Sequence, residues 1–288
     1  MADTTIAAAP VPVSVPAAPR PAWTIWHTLS IIVLLVATGL VGWFIPSRLI
    51  AWLVSMTLLI AFIAIAAHGV TGTWRGALID ERNRISLSRF QMLLWTVLIL
   101  SALLIAVLTN LRANSLVQTG LFTANSTGAA GLIGLTIPST LWVLMGIATT
   151  SLVGAPLVLS TKTKDPNPDE MQATLNQLAK QKMDVSPDNV IITGQVLSYA
   201  TPNNARWGDL FTGEETGNAA NFDLGKIQMF YFTFILILIY GMALGALFAS
   251  QVPTITAFPD MDTGMLALLG ISHAGYLTNK AVPHSSAP

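Results

Sequence analysis

The chain has 288 residues, 53% of them hydrophobic and only 10% charged, with a formal net charge of zero. Soluble domains carry roughly 25% charged residues, so a soluble core of this length is excluded, and the neutral balance supplies no global field to gather nucleic acid. Cysteine is absent, which rules out disulfides, thiolate metal sites, cysteine nucleophiles and iron–sulfur ligation.

Residues 1–22 are rich in Ala, Pro and Val. They lack a charged n-region, and proline interrupts any apolar run, so they are expected to form a disordered tail rather than a signal peptide. Six apolar stretches follow, each near the roughly 20 residues that a bilayer core requires. They cover about 23–44, 49–70, 90–110, 137–160, 227–250 and 262–280. The tight Pro46-Ser47-Arg48 connection makes the first two a hairpin. Pro138 falls in the first turn of the fourth stretch, where a missing N–H costs little. The sixth stretch is the shortest and least apolar, which leaves crossing and re-entry both open. The predicted fold is all-α, a polytopic membrane protein of six transmembrane helices. Trp23, Trp26, Trp43, Trp52, Trp74 and Trp95 are expected at span ends, as interfacial anchors.

Orientation follows from Lys and Arg placement. With the N-terminus in the cytoplasm, twelve of the fourteen Lys and Arg residues are cytoplasmic, and only Arg48 and Arg112 face outside. Both termini are then cytoplasmic, and the expected location is a bacterial inner membrane. Residues 111–136 form an outer loop rich in Gly, Ser, Thr and Asn. Residues 161–223 form a cytoplasmic segment. Met171, Leu175 and Leu178 recur there at helical spacing, which predicts an amphipathic helix over 169–182. The β-branched run 189–200 predicts a strand. The segment is too small and polar to be an independent domain.

One phrase occurs twice. SLSRFQMLLWT (86–96) and DLGKIQMFYFT (223–233) align Arg89 with Lys226, Gln91 with Gln228, Met92 with Met229 and Thr96 with Thr233. Upstream, RGALIDE (75–81) parallels WGDLFTGE (207–214). Downstream, LMGIATTSLV (144–153) parallels LLGISHAGYL (268–277). Spans three and four therefore recur as five and six, a parallel internal repeat of two-helix units, expected to be related by a pseudo-two-fold axis along the membrane normal. The chain divides into a tail (1–22), a hairpin (23–70), repeat A (71–160), a cytoplasmic segment (161–200), repeat B (201–281) and a C-terminal tail (282–288).

Arg89 and Lys226 are expected to snorkel at the cytoplasmic interface, with Gln91 and Gln228 one step deeper, each wanting a hydrogen-bond partner. His273 is the unusual residue within a span. It is either a gate or permeation ligand, on a path shared with Ser272, Gln91, Gln228 and, at the equivalent place in the fourth span, Thr149 and Thr150, or a neutral histidine bonded across a helix contact. Gly146, Gly270, Ala274 and Gly275 offer small surfaces for close packing of the fourth span on the sixth, or on an oligomeric neighbour. Asp262 is expected to cap the sixth helix. DPNPDE (165–170) lacks the glycine of a calcium loop and is read as a helix start. DERNR (80–84) is read as a solvated topology signal that touches anionic lipid. No metal ligand set, cofactor motif or catalytic arrangement is recognisable.

WGDLFTGEETGN, DLGKIQMFYFT and LLGISHAGYLTNKAVP resemble segments of uncharacterised bacterial multi-pass membrane proteins. The resemblance covers mainly the C-terminal third and implies no activity. The expected function is a homo-oligomeric membrane anchor or scaffold that docks a soluble cytoplasmic partner. The alternative is an ion channel or small transporter with its path near His273.

Overall fold

The computed structural model describes residues 23–115 and 135–285. The predicted tail over 1–22 and most of the predicted outer loop lie outside the described residues. The described residues form helices α1 (Ile25–Phe44), α2 (Arg48–Thr71), α3 (Leu87–Ser115), α4 (Ser139–Ser160), α5 (Pro168–Lys180), α6 (Leu224–Ala249) and α7 (Thr263–Ala281), with strands β1 (Val190–Thr193) and β2 (Val196–Tyr199) between α5 and α6. Five helices, α1, α2, α3, α4 and α6, are long and apolar enough to cross a membrane. The chain is therefore a helical membrane protein. The sixth predicted segment is helical as α7, but Ser272, His273, Thr278, Asn279 and Lys280 keep it out of that apolar group.

Local sequence sets the helix ends. Ser47 caps α2 by accepting from the Ile50 N–H at 3.4 Å. Asn167 accepts from Asp169 and Glu170 at the start of α5, with Pro168 in the first turn. Asp262 caps α7 through the Gly264 N–H at 2.8 Å, as expected.

α3, α4, α7 and α6 pack in a ring in that order, α3 against α6 and α4 against α7. The α1–α2 hairpin leans on α3, and α2 also touches α6. Trp95, Ile105, Leu141, Leu144, Leu244 and Leu269 fill the ring, all fully buried. In lipid, apolar burial itself gives little drive, so this association rests on dispersion and interhelical hydrogen bonds. Outward faces carry exposed Ile25, Trp26, Phe44, Trp142, Met242 and Ile271, as a lipid-clad surface requires. Trp23, Trp26, Trp43 and Trp74 are exposed near helix ends. Trp52 and Trp95 are not anchors. Both are buried in the core, and Trp52 donates to Ser101 Oγ at 2.9 Å.

The ring order corrects the expected symmetry. A two-fold along the bundle axis would set α3 opposite α6 and α4 opposite α7, yet both pairs are neighbours.

Both lead-ins share local geometry. A 3₁₀ turn at Gly76–Leu78 precedes α3 and another at Trp207–Leu210 precedes α6. Bridges Ile79–Ile85 and Thr212–Phe222 follow them. Ser86 and Asp223 then cap α3 and α6, each accepting from the third helical N–H, at Arg89 and Lys226.

The predicted single strand over 189–200 is a hairpin instead. Gly194 has φ +56° at the first position of a two-residue turn, which suits a type II′ connection. A Cβ there would also lie 2.5 Å from the Lys162 carbonyl oxygen. The buried stripe of α5, Thr174 and Leu178, faces this hairpin, and Leu178, Val190, Leu197, Tyr199 and Ala219 form a small core. β2 also bonds onward, Leu197 N–H to the Glu214 carbonyl at 3.0 Å. Residues 161–223 thus form one polar unit against the helix ends.

Candidate functional site: a buried charge cluster above a polar helix core

The turn over 80–84 is built by Asp80, whose Oδ1 accepts from the Arg82 and Arg84 N–H groups at 3.0 and 3.1 Å. Asn83 sits at φ +58°, a conformation that asparagine tolerates. The turn is not solvated as expected. Asp80 and Arg84 are buried, because the strand β2 lies over them. Tyr199 N–H donates to the Arg82 carbonyl at 2.9 Å, and Asn83 Nδ2 donates to the Tyr199 carbonyl at 2.7 Å.

Glu214 is the hub of the cluster. Its carboxylate meets Lys226 at 2.9 Å, Arg82 at 3.2 Å, and Lys280. Burial pushes the Glu214 carboxyl up, but these cations, Arg82 foremost, outweigh it and hold the group well below the usual carboxylate range. The Arg82 Nη1 contact is an ion pair whose angles fall outside hydrogen-bonding geometry. Arg82 Nη2 sits 2.5 Å from Asp80. Lys226 also donates to the carbonyls of Asp209 and Thr212, at 3.1 and 2.7 Å. It is therefore turned into protein, not snorkelling, while Arg89 stays at the rim and pairs with Glu81 at 2.5 Å.

Asp209 is the second hub. It accepts from the Arg206 N–H (2.8 Å), the Ile85 N–H (3.3 Å) and the Tyr199 hydroxyl (2.7 Å), and it lies 3.5 Å from Arg84. Burial pushes the Tyr199 hydroxyl above its ordinary range, although Arg84 pulls the other way. Glu215 pairs with Lys162 at 2.5 Å. Lys162 donates on to the Val282 carbonyl, and the His284 N–H returns to Glu215. Ser285 Oγ then accepts from the Gly217 N–H. The segment after α7 is thus strapped to the polar unit. Charge meets charge throughout, and the arrangement is a clamp between loop and helix ends. Among the described residues, no group of three or more His, Cys, Asp or Glu is placed to hold a metal ion.

Below the cluster lies the polar core of the ring. Gln91 donates to the Met229 carbonyl at 3.1 Å and to Thr233 Oγ1 at 2.5 Å, tying α3 to α6. Gln91→Leu keeps the volume and deletes both bonds. It is expected to lower stability in detergent by about 0.6–2 kcal/mol, read as a shifted urea midpoint. An unchanged midpoint would show that the amide carries no net stability.

His273 Nδ1 and Ser151 Oγ share a 2.5 Å hydrogen bond between α7 and α4. Thr149 and Thr150, the candidate path or helix-contact residues of the fourth span, are exposed and bond back to the Met145 and Gly146 carbonyls. Ser272 is buried beside His273. Gln228 is exposed, whereas Gln91 is buried. Gly270 faces α4, where an added Cβ would lie 3.8 Å from Ile147 Cδ1. Gly146, Ala274 and Gly275 face outward, and a Cβ at Gly146 or Gly275 would meet nothing within 4 Å. The close approach of α4 and α7 comes instead from Ala148, Ser151 and Ala155 against Leu269, Ser272 and Tyr276. Gln91 and His273 are buried and Gly270 faces α4, whereas Gln228, Gly146 and Thr149, at the matching places of the paired phrases, are exposed.

Among the described residues, Ser88 Oγ, Gln91 Oε1, Trp95 Nε1, Ser272 Oγ and His273 Nε2 are buried without a hydrogen-bond partner. At the outer edge, His27 Nε2 and His68 Nδ1 bond at 3.0 Å across the first hairpin. Their separation of 41 positions carries no sequence signal. No family model, curated protein or solved structure matches the chain.

Proposed function

We propose that this chain is an integral membrane anchor and scaffold subunit, without catalytic activity, whose polar unit docks a soluble partner in the cytoplasm. The observation that carries this reading is the Glu214 cluster, which ties the unit to α6, α7 and the turn before α3. A loop clamped by buried charges is a rigid platform, as a docking surface needs. On this reading α7 completes six spans, both termini are cytoplasmic, and the membrane is the bacterial inner membrane. The clustering of cations with the polar unit supports that orientation. The shared lead-in turns and caps support a duplication of two-helix units. The outward small residues Gly146, Ala274 and Gly275 leave a face where a second copy can approach closely.

A channel or small transporter is the second reading. The buried polar atoms of Ser88, Gln91, Trp95, Ser272 and His273 without protein partners favour it. Ion flux from liposomes at pH 5.5 and 7.5, with His273→Ala alongside, separates the two. The scaffold predicts no flux above protein-free liposomes. Flux that responds to pH and loses the response in the mutant would replace it with the channel.

A further inference from the structure

A cleft of about 390 Å³ opens beside the charge cluster, within the roughly 300–1,000 Å³ of small-ligand sites. Its walls divide by chemistry. Met92 and Leu93 of α3 and Leu152 and Pro156 of α4 make an apolar half. Arg82, Arg89 and Lys280 bring cations to the other half, together with Asp80 and Glu81. The apolar half belongs to helices able to cross a membrane, and the charged half lies at the ends of those helices.

We infer that this cleft binds one anionic phospholipid, with its phosphate at Arg89 and an acyl chain along Leu93 and Leu152. Three observations support it. The cleft joins an apolar helix wall to cations at the helix ends, the two surfaces that a phospholipid needs. Arg89 is held only by Glu81, whose side chain is 70% exposed, and such surface pairs are weak, so a phosphate displaces the carboxylate readily. Leu152 and Pro156 stand one turn apart and extend the apolar wall along α4. A phosphate on Arg89 with an acyl chain along that wall matches both halves of the cleft. Basic pockets between membrane helices hold anionic headgroups by the same physics.

The test uses the full chain, delipidated in neutral detergent and titrated with phosphatidylglycerol or phosphatidylcholine of identical acyl chains. Native mass spectrometry counts the lipid retained. One phosphatidylglycerol is expected to bind about fivefold more tightly than phosphatidylcholine, the contribution of one basic side chain. Arg89→Gln should abolish the difference and Arg89→Lys should keep it. Leu93→Trp fills the apolar wall and should weaken both lipids. Equal retention of the two lipids, or a difference that survives Arg89→Gln, overturns the inference. So does displacement of the lipid by inorganic phosphate, which would make the site one for a soluble anion.

Discussion

Glu214→Ala is expected to release the polar unit from the helix ends at a cost of about 3–5 kcal/mol, because it leaves buried cations without their counter-charge. Lys226 and Arg82 lie 2.9 and 3.2 Å from that carboxylate, and Lys280 shares it. Limited trypsin digestion reads the release as faster cleavage within residues 161–223, while the transmembrane core stays intact. The pH dependence has a defined sign. The folded carboxyl titrates well below its unfolded value, which is about 4.3. Its contribution is therefore complete above that value and fades as pH falls through the lowered folded pKa. Glu214→Gln should show a flatter loss of stability in acid than the parent. Identical digestion and identical acid profiles would remove Glu214 from the centre of the clamp.

Asp209→Ala is expected to cost a similar amount, about 3–5 kcal/mol, for a different reason. It strips the counter-charge from Arg84, which is 2% exposed, and it frees the Ile85 and Arg206 N–H groups and the Tyr199 hydroxyl together. Tyr199→Phe removes one of those bonds and should cost only about 0.5–1.5 kcal/mol. Amide exchange at Ile85 and Arg206 is the direct readout. Both amides should lose protection in Asp209→Ala and keep it in Tyr199→Phe. Protection that persists in Asp209→Ala would show that another acceptor holds the two backbones.

Helix positions were legible because length and apolarity alone decide them. The Asp262 cap and the α5 stripe were legible because each is a local pattern. The clamp was not. Its members are Asp80, Arg82 and Arg84 in one turn, Asp209, Glu214 and Glu215 in another, and Lys162, Lys226 and Lys280 at helix ends. In sequence they are scattered polar residues, and a charged turn such as 80–84 looks the same whether water or a strand covers it. The inward glutamine was also not separable from its outward twin. Gln91 and Gln228 sit in matching phrases, and only the ring order sends one to Thr233 and the other outward. His273 was visible as a buried histidine, but its partner Ser151 stands 122 positions away.

The strap after α7 bears on the order of events during synthesis. Domains generally fold N-terminal part first, as the chain emerges. Glu214 and Glu215 emerge before Lys226, and well before Lys280, Val282 and His284. The two carboxylates can meet Arg82 and Lys162 at once, but their set of partners is complete only when the last turn of α7 and the segment after it arrive. A nascent chain stopped short of Lys280 would leave Glu214 without one of its three cations and Glu215 without the His284 N–H, so the segment after α7 is what finishes the clamp.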